Sequence, residues 1–392
     1  MAQIESIVSY LEGIGLRSFQ DDTERVRIKD ALFKALRQTQ TPWDIIWEHN
    51  WTNGATHASV KTLLDIGIFQ KWTEAGGGKI SVSELSKLTG SDAQLIRRLM
   101  RQIAGQYLLM EAEEDTFTQT PWAKSFGDDH LMQSVYGSFF SENNGPMFQS
   151  LPYYLKSIGY KNPDDSNNGN WQFWTNKELS FFDTLAQNQS LKASFHDTMQ
   201  CHTKYYLKHW PDLYPTGLIV AASKPNRSLI VDVGGSVGHD LERFRSKHPC
   251  IPDGSLVLQD LPEVVEGLVL DKAIQSQPYD FFTPQVNKGA TAYYMHQILH
   301  DWPDDKAIQI LANVALGMEK GYSRLLIHES LITSTSADPR VTTTDITMMA
   351  CVASKERTEE EWRMLLDMAG LAVVKIWRTS ASVDCVIEAM IQ

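Results

Sequence analysis

Hydrophobic and polar positions follow two regimes along this chain, changing near residue 228. Beyond it, short apolar runs alternate with stretches of helical period. Strands are predicted at 228–233, 255–259, 291–295, 323–328, 371–377 and 383–389. Helices are predicted at 237–246, 262–270, 304–318, 341–352 and 358–369. Such alternation is the pattern of an α/β, mostly parallel, doubly wound sheet. Residues 1 to about 55 read as helices instead. Ile4, Ile7, Val8 and Leu11 form one apolar stripe, and Val26, Ala31, Leu32 and Leu36 another, before Pro42 and the Trp43, Ile45, Ile46, Trp47 cluster interrupt. That much apolar surface needs a partner, either a second subunit or the chain's own domain.

Residues 58–120 are better defined. Val60, Leu63, Leu64, Ile66 and Phe69 predict a helix ending near the glycines Gly76, Gly77 and Gly78. Ser81 or Ser83 caps a short helix, Thr89-Gly90 turns, and Ser91 opens a helix whose apolar face is Leu95, Ile96, Leu99 and Met100. A hairpin turning at Glu114-Asp115 follows. Helix-turn-helix plus wing is a winged-helix arrangement, so DNA binding has to be weighed. Arg97, Arg98 and Arg101 favour it; Glu111, Glu113 and Glu114 on the wing oppose it. Dimerisation is the preferred use of the module.

Residues 130–210 are rich in aromatics, among them Phe139, Phe140, Trp171, Phe181 and Phe195, with Met147 and Met199 as adaptable apolar surface. Core packing is one use of such density; a concave site for a flat, apolar ligand is the other. The segment KNPDDSNNGN (161–170) is polar and expected at the surface.

Composition narrows the classes. A formal net charge of −12 disfavours a nucleic-acid partner, and 42% hydrophobic with 21% charged residues is ordinary for a globular protein. Cys201, Cys250, Cys351 and Cys385 show no C-x-x-C spacing. Neither a disulfide frame nor a metal site is expected, and reduced thiols point to the cytoplasm. The first residues lack a basic start and a continuous apolar core, and no run approaches the roughly 20 residues of a membrane span. No membrane partner is expected.

The chemistry concentrates in three places. The first is LIVDVGGSVGHD (229–240), an apolar strand running into Asp232 and breaking at Gly234, Gly235 and Gly238 before a helix. Glycines let the backbone approach a ligand, and the helix start offers N–H groups. A side chain at Gly235 is therefore expected to stand where backbone meets ligand. The spacing D-x-G-G-x-x-G is neither the dinucleotide motif nor a triphosphate loop. The second is LQDLP, where Asp260, beside Leu261, either accepts the hydroxyls of a ribose or caps the next helix. The third is LHDWPDD, just past a predicted strand. His300 there is either structural or catalytic, and Asp301 or Asp304 can simply start the next helix.

VDVGGSVG, LQDLP, DFFTPQ, LHDWPDD, IHES and SKERTEEEW occur in this order. Together they resemble the plant and fungal small-molecule O-methyltransferases of the caffeic-acid type, which bind S-adenosyl-L-methionine (SAM) on a Rossmann-like domain. The resemblance covers most of the chain, and the length and Asn-rich insertion look fungal, as in secondary metabolism. It implies residues 1–120 as a helical winged-helix-like dimerisation domain, 121–225 as a helical segment lining the substrate, and 226–392 as the SAM-binding domain. It implies His300 as catalytic base, flanked by Glu329 and Glu356. Cofactor contacts are expected from Asp232, Gly234, Gly235, Gly238, Asp260, Leu261, Asp280, Phe281 and His296, which stands where the plant enzymes carry a lysine. Acceptor contacts are expected from Phe140, Met147, Phe195, Met199, His202, Asp301 and Met349. Ser236 and Ser354 replace glycines common in the family.

The expected chemistry is methylation of a hydroxyl. A phenol is a poor nucleophile until deprotonated, and a neutral imidazole near physiological pH can take that proton while carboxylates orient it. Some fungal proteins resembling this family hold SAM but act as pericyclases or dehydratases, with the base changed; here His300 is retained. The partners expected are a small-molecule substrate and a second subunit.

Overall fold

The computed structural model describes residues 2–205, 208–379 and 382–392. Two compact units are present, one of Met1–Pro146 with Leu185–Tyr205, the other of Met147–Thr184 with Tyr206–Gln392.

In the first unit three short antiparallel strands, β1 (Ile80–Ser81), β2 (Leu109–Glu113) and β3 (Thr116–Gln119), lie in the order β1-β3-β2. Ser81 and Glu84 form a reciprocal capping box on the helix Val82–Thr89, which stops at Gly90 in the left-handed region (φ 71°). Asp92, rather than Ser91, caps the helix Ala93–Ala104, its side chain accepting from Leu95 N–H. Ile96, Met100 and Ile103 are the buried face of that helix, whereas Leu95 is exposed. The predicted helix through Phe69 is two helices, Asn53–Asp65 and Ile68–Glu74, because Gly67 takes φ 74° between them. The wing turns at Asp115 (φ 56°), as the pattern predicted. Arg97 Nε donates to Asp115 at 2.6 Å and Arg101 pairs with Glu111, so wing acids face two of the arginines that favoured DNA.

Helices Asp22–Thr39 and Pro42–Trp47 carry no buried residue. Ile4, Ile7, Leu11, Leu32, Leu36, Trp43 and Trp47 are all exposed. The stripes read from the sequence are thus not covered within the described chain.

The second unit holds a seven-stranded sheet: β4 (Ile230–Val233), β5 (Leu256–Asp260), β6 (Ile274–Pro278), β7 (Ala292–His296), β8 (Arg324–Ser330), β9 (Leu371–Trp377) and β10 (Asp384–Ile391). Their order is β6-β5-β4-β7-β8-β10-β9; β4 to β8 pair in parallel, and β10 runs antiparallel between β8 and β9. Alternate residues serve two cores: Val231, Val257, Tyr293 and Leu325 join one, Ile230, Leu256, Ala292 and Leu326 the other. That two-sided burial is why these strands read as continuous apolar runs. β6 escaped the pattern. Its sequence, IQSQP, buries only Ile274, because an edge strand has one neighbour and little core to face. The helix expected at 262–270 is only Pro262–Val265, ended before Gly267 (φ 76°). Chain order reverses at β4, which lies between β5 and β7, so a crevice opens beyond its carboxyl end. Among the described residues no helix is long and apolar enough to cross a membrane.

Candidate active site

The glycine turn sits at that crevice. Gly234 and Gly235 N–H groups both donate to Gln259 O, at 2.7 and 3.1 Å, folding the turn over the end of β5. Gly234 has φ 75°, and a Cβ there would meet Ile298 Cδ1 at 2.6 Å. Ser236 has φ 53°, the conformation for which glycine is the easier residue. Gly235 is also constrained by internal packing: a Cβ would lie 2.5 Å from Asp232 Oδ2 and 2.6 Å from Leu258 Cδ1.

Three carboxylates gather here. Asp232 is buried and its Oδ2 has no hydrogen-bond partner; burial first, then Asp240 and Asp260, push it well above the carboxylate range. Asp260 accepts from Ser236 N–H (2.9 Å) and Leu261 N–H (2.8 Å), which fixes its orientation at the end of β5. Asp240, in the first turn of the helix His239–Lys247, faces His296 Nδ1 at 2.6 Å. On the next loop Asp280 Oδ1 accepts from Phe282 N–H, and Phe281 packs edge-on against Phe282 and Trp302. An unpartnered buried carboxylate oxygen, an oriented acid after the second strand and a glycine turn between them fit a cationic nucleoside cofactor.

His300 stands on the 3-10 turn Leu299–Asp301 just past β7 and is 7% exposed. Its Nδ1 lies 2.8 Å from Glu356 Oε1 and 3.7 Å from Glu329 Oε2; its Nε2 lies 3.7 Å from Asp301 Oδ1. Glu329, on β8 and fully buried, accepts Ile298 and Leu299 N–H groups on Oε1. Burial alone lowers the imidazole's proton affinity, but Glu329, Asp301 and Glu356 outweigh it and raise His300 to about 10. Burial raises Glu329 to about 7, and Asp301 to about 6, against the pull of His300. The sequence reading of a neutral imidazole near physiological pH is therefore corrected: three carboxylates hold a proton on this ring.

Four of the residues proposed for the acceptor, Phe140, Phe195, Met199 and His202, belong to the first unit; Met147, Asp301 and Met349 belong to the second. Phe195 packs edge-on against Phe139, Met147 is wholly buried, and His202 is exposed. Several groups that shape the site were not foreseen. The buried Arg357 donates to Leu299 O, Trp302 O and Asp304, clamping the turn that carries His300. Asp345 accepts Glu356 N–H at 2.9 Å. Arg357 lies in a stretch read as a motif, but its partners are more than fifty residues away in sequence. Ser354 is buried with Oγ lacking a partner.

Comparison with known proteins gives the family. Residues 167–372 match the profile described as an O-methyltransferase domain. Over 391 residues the chain is 36% identical to O-methyltransferase mfmE of Annulohypoxylon moriforme, covering 99% of this chain and 96% of that protein. The solved structure of LepI in complex with SAM matches with a TM-score of 0.90 and 26% identity, over 100% of this chain and 99% of that one. A chain described as a pericyclic reaction enzyme gives a TM-score of 0.90 and 26% identity, over 100% of both. OxaC in complex with S-adenosylhomocysteine and oxaline gives 0.82 and 25%, over 99% and 97%.

Proposed function

We propose, from the premise that the chain belongs to the O-methyltransferase family and is a SAM-dependent O-methyltransferase, that it methylates a hydroxyl of a small aromatic, polyketide- or alkaloid-type secondary metabolite, with His300 as general base. The observation that carries this reading is the 2.8 Å contact of His300 Nδ1 with Glu356 beyond β7. With Nδ1 turned to Glu356, Nε2 is the atom that accepts the acceptor's proton once the ring has given up its own. Bound SAM supplies the electrophilic methyl group; the chain's own work is to hold both reactants and move one proton. Asp232, Gly234, Gly235, Gly238, Asp260, Leu261, Asp280, Phe281 and His296 are the residues proposed to hold the cofactor, some directly and some through the turn. The acceptor contacts proposed are Phe140, Met147, Phe195, Met199, His202, Asp301 and Met349.

A base raised to about 10 matches the ordinary phenol value of about 10, so proton transfer between them is close to balanced. Glu356 accepts from Nδ1, and Glu329 with Asp301 stabilises the imidazolium once it forms. Positioning then carries most of the acceleration.

The same charge state favours one second reading. An imidazolium is also a strong hydrogen-bond donor, which suits a cyclisation or dehydration run on this fold without methyl transfer, as does the likeness to the pericyclic reaction enzyme. S-adenosylhomocysteine released per product separates the two. A ratio near one, measured with labelled SAM and candidate phenols, supports methyl transfer; product without it overturns the reading.

Residues 1–120 are proposed to form a homodimer, because their exposed apolar residues exceed what scattered surface positions account for. Light scattering at micromolar concentration should give twice the chain mass; a clean monomer removes the idea.

A further inference from the structure

We propose that His296 is a positioning residue for cofactor binding that acts through Asp240, holding the glycine turn and the helix behind it against the end of β7. The inference rests on the cofactor being held at this turn.

Asp240 occupies the first turn of the helix His239–Lys247, directly after Gly238 (φ 88°), so whatever fixes its side chain fixes the exit of the turn. Trp210 Nε1 donates to its carbonyl, and Trp210 itself stacks on Phe244 of the same helix. The carboxylate reaches His296 Nδ1 at 2.6 Å, across to the neighbouring strand, with both side chains 12% exposed. Arg243 touches its other oxygen at 3.2 Å. On the opposite face His296 stacks on His328 of β8, ring centroids 4.1 Å apart and planes within 24°. His328 Nδ1 is bound to Tyr294 Oη at 2.9 Å, so that second ring is itself anchored.

Electrostatics gives this pair its purpose. Asp232, Asp240 and Asp260 crowd one turn, and their mutual repulsion is part of what raises Asp232. A positive charge at His296 offsets Asp240, leaving the turn able to keep its shape around the other two acids. The two stacked imidazoles are pushed in opposite directions. Burial and the neighbouring charge drive His328 well down, while Asp240, with Asp384 and Glu329, overcomes burial and raises His296. The groups facing His296 are Asp240 and Arg243 from the helix, Tyr294 on its own strand, His328 and Glu329 from β8, Asp384 from β10 and His209 from the loop before Trp210. With a raised value, the imidazolium is present at and below the ordinary histidine value of about 6.5 and is lost as pH rises through the folded one. Asp240, held below the carboxylate range, loses its charge only in strong acid.

The test is calorimetric titration of S-adenosylhomocysteine into the full chain, its His296→Gln, His296→Lys and Asp240→Asn variants and the double variant His296→Gln/Asp240→Asn, between about pH 6 and 9. Near neutrality His296→Gln should weaken binding by about 10- to 100-fold, as loss of a group that orients another from behind does. The ratio to wild type should shrink with rising pH, which cancels the ligand's own titration. His296→Lys should restore affinity and keep it to higher pH. Asp240→Asn should lose as much, and the double variant no more than either alone. Melting temperatures identify folded variants, and if His296→Gln is not among them, Asp240→Asn and His296→Lys carry the test. Unchanged affinity in folded His296→Gln, or a pH-independent loss that lysine does not restore, overturns the proposal. Asp260→Asn in parallel tells which reading failed: weakened binding there with none at His296 leaves the cofactor turn standing.

Discussion

His296 and His300 are four residues apart at and just past the end of one strand, the first partly and the second fully buried, and each has Nδ1 within 2.8 Å of a carboxylate. Their surroundings set them apart. His296 has Asp240 in hydrogen-bond contact at its edge and, stacked on its face, His328, which burial drives well below the histidine range. His300 has carboxylates on both ring nitrogens, two of them pushed up toward neutrality. Both rings are raised and hold a proton; His296 is proposed to use its charge, and His300 to exchange its proton with the acceptor. The motif around each ring is the same; the charge and burial of what faces it decide the task.

The largest expected effect separates the two directly. His300→Ala should fold and bind SAM as the wild type does, yet lose about 10²–10⁴-fold in turnover, the usual worth of a positioned base. Part of that loss should return at high pH with an acidic phenol, which ionises without help. The contrast with His296, where the loss is expected first in cofactor affinity, is the measurement. If His300→Ala loses cofactor affinity instead, the division of labour collapses.

A second, smaller effect tests whether the cofactor side depends on the turn's packing. Gly235→Val forces a branched side chain into Asp232 and Leu258, at distances of 2.5 and 2.6 Å for the first carbon alone. Overpacking of this kind costs about 1–3 kcal/mol. The variant should melt lower than wild type and bind SAM weakly, whereas His300→Ala should melt normally. An undiminished melting temperature would mean the turn yields, and the stated reason for glycine there is wrong.

How much of this was legible in the sequence differs between the two histidines for the same physical reason. His300, Glu329 and Glu356 each sit in a stretch, LHDWPDD, IHES and SKERTEEEW, that resembles a motif of the family, and the resemblance implies the trio. Asp240 and His328 were passed over. Asp240 lies 56 residues from His296, and their meeting depends on β4 and β7 being neighbours, which periodicity does not encode. Parallel strands with apolar faces announced themselves; the polar edge strand β6 did not, having almost no core to face. Arg357 shows the complementary failure. An arginine in a charged string reads as solvated, yet three hydrogen-bond acceptors at one turn bury it completely. The charge state of His300 was out of reach too, since it depends on three carboxylates from separate segments.

The smallest effect is the most discriminating. Glutamine at position 329 keeps an oxygen for the Ile298 and Leu299 N–H groups, now 3.0 and 2.9 Å away, so the turn should stay in place. What goes is a charge that helps raise His300 to about 10. Because burial raises Glu329 above the ordinary glutamate range, Glu329→Gln should come to resemble wild type as pH falls and Glu329 takes up its proton. As pH rises the two diverge. In the wild type, kcat/KM should climb with pH toward about 10 as the His300 proton is lost; in the variant the climb should begin at lower pH, because the ring binds its proton less tightly. The rate difference at neutral pH should stay within about tenfold, since a weaker base is offset by a larger neutral fraction. Initial rates across the pH range with a saturating cofactor give both profiles. A loss as deep as that of His300→Ala would make Glu329 a proton carrier rather than a charge beside one, and an unmoved profile would mean that Glu356 and Asp301 alone set the base.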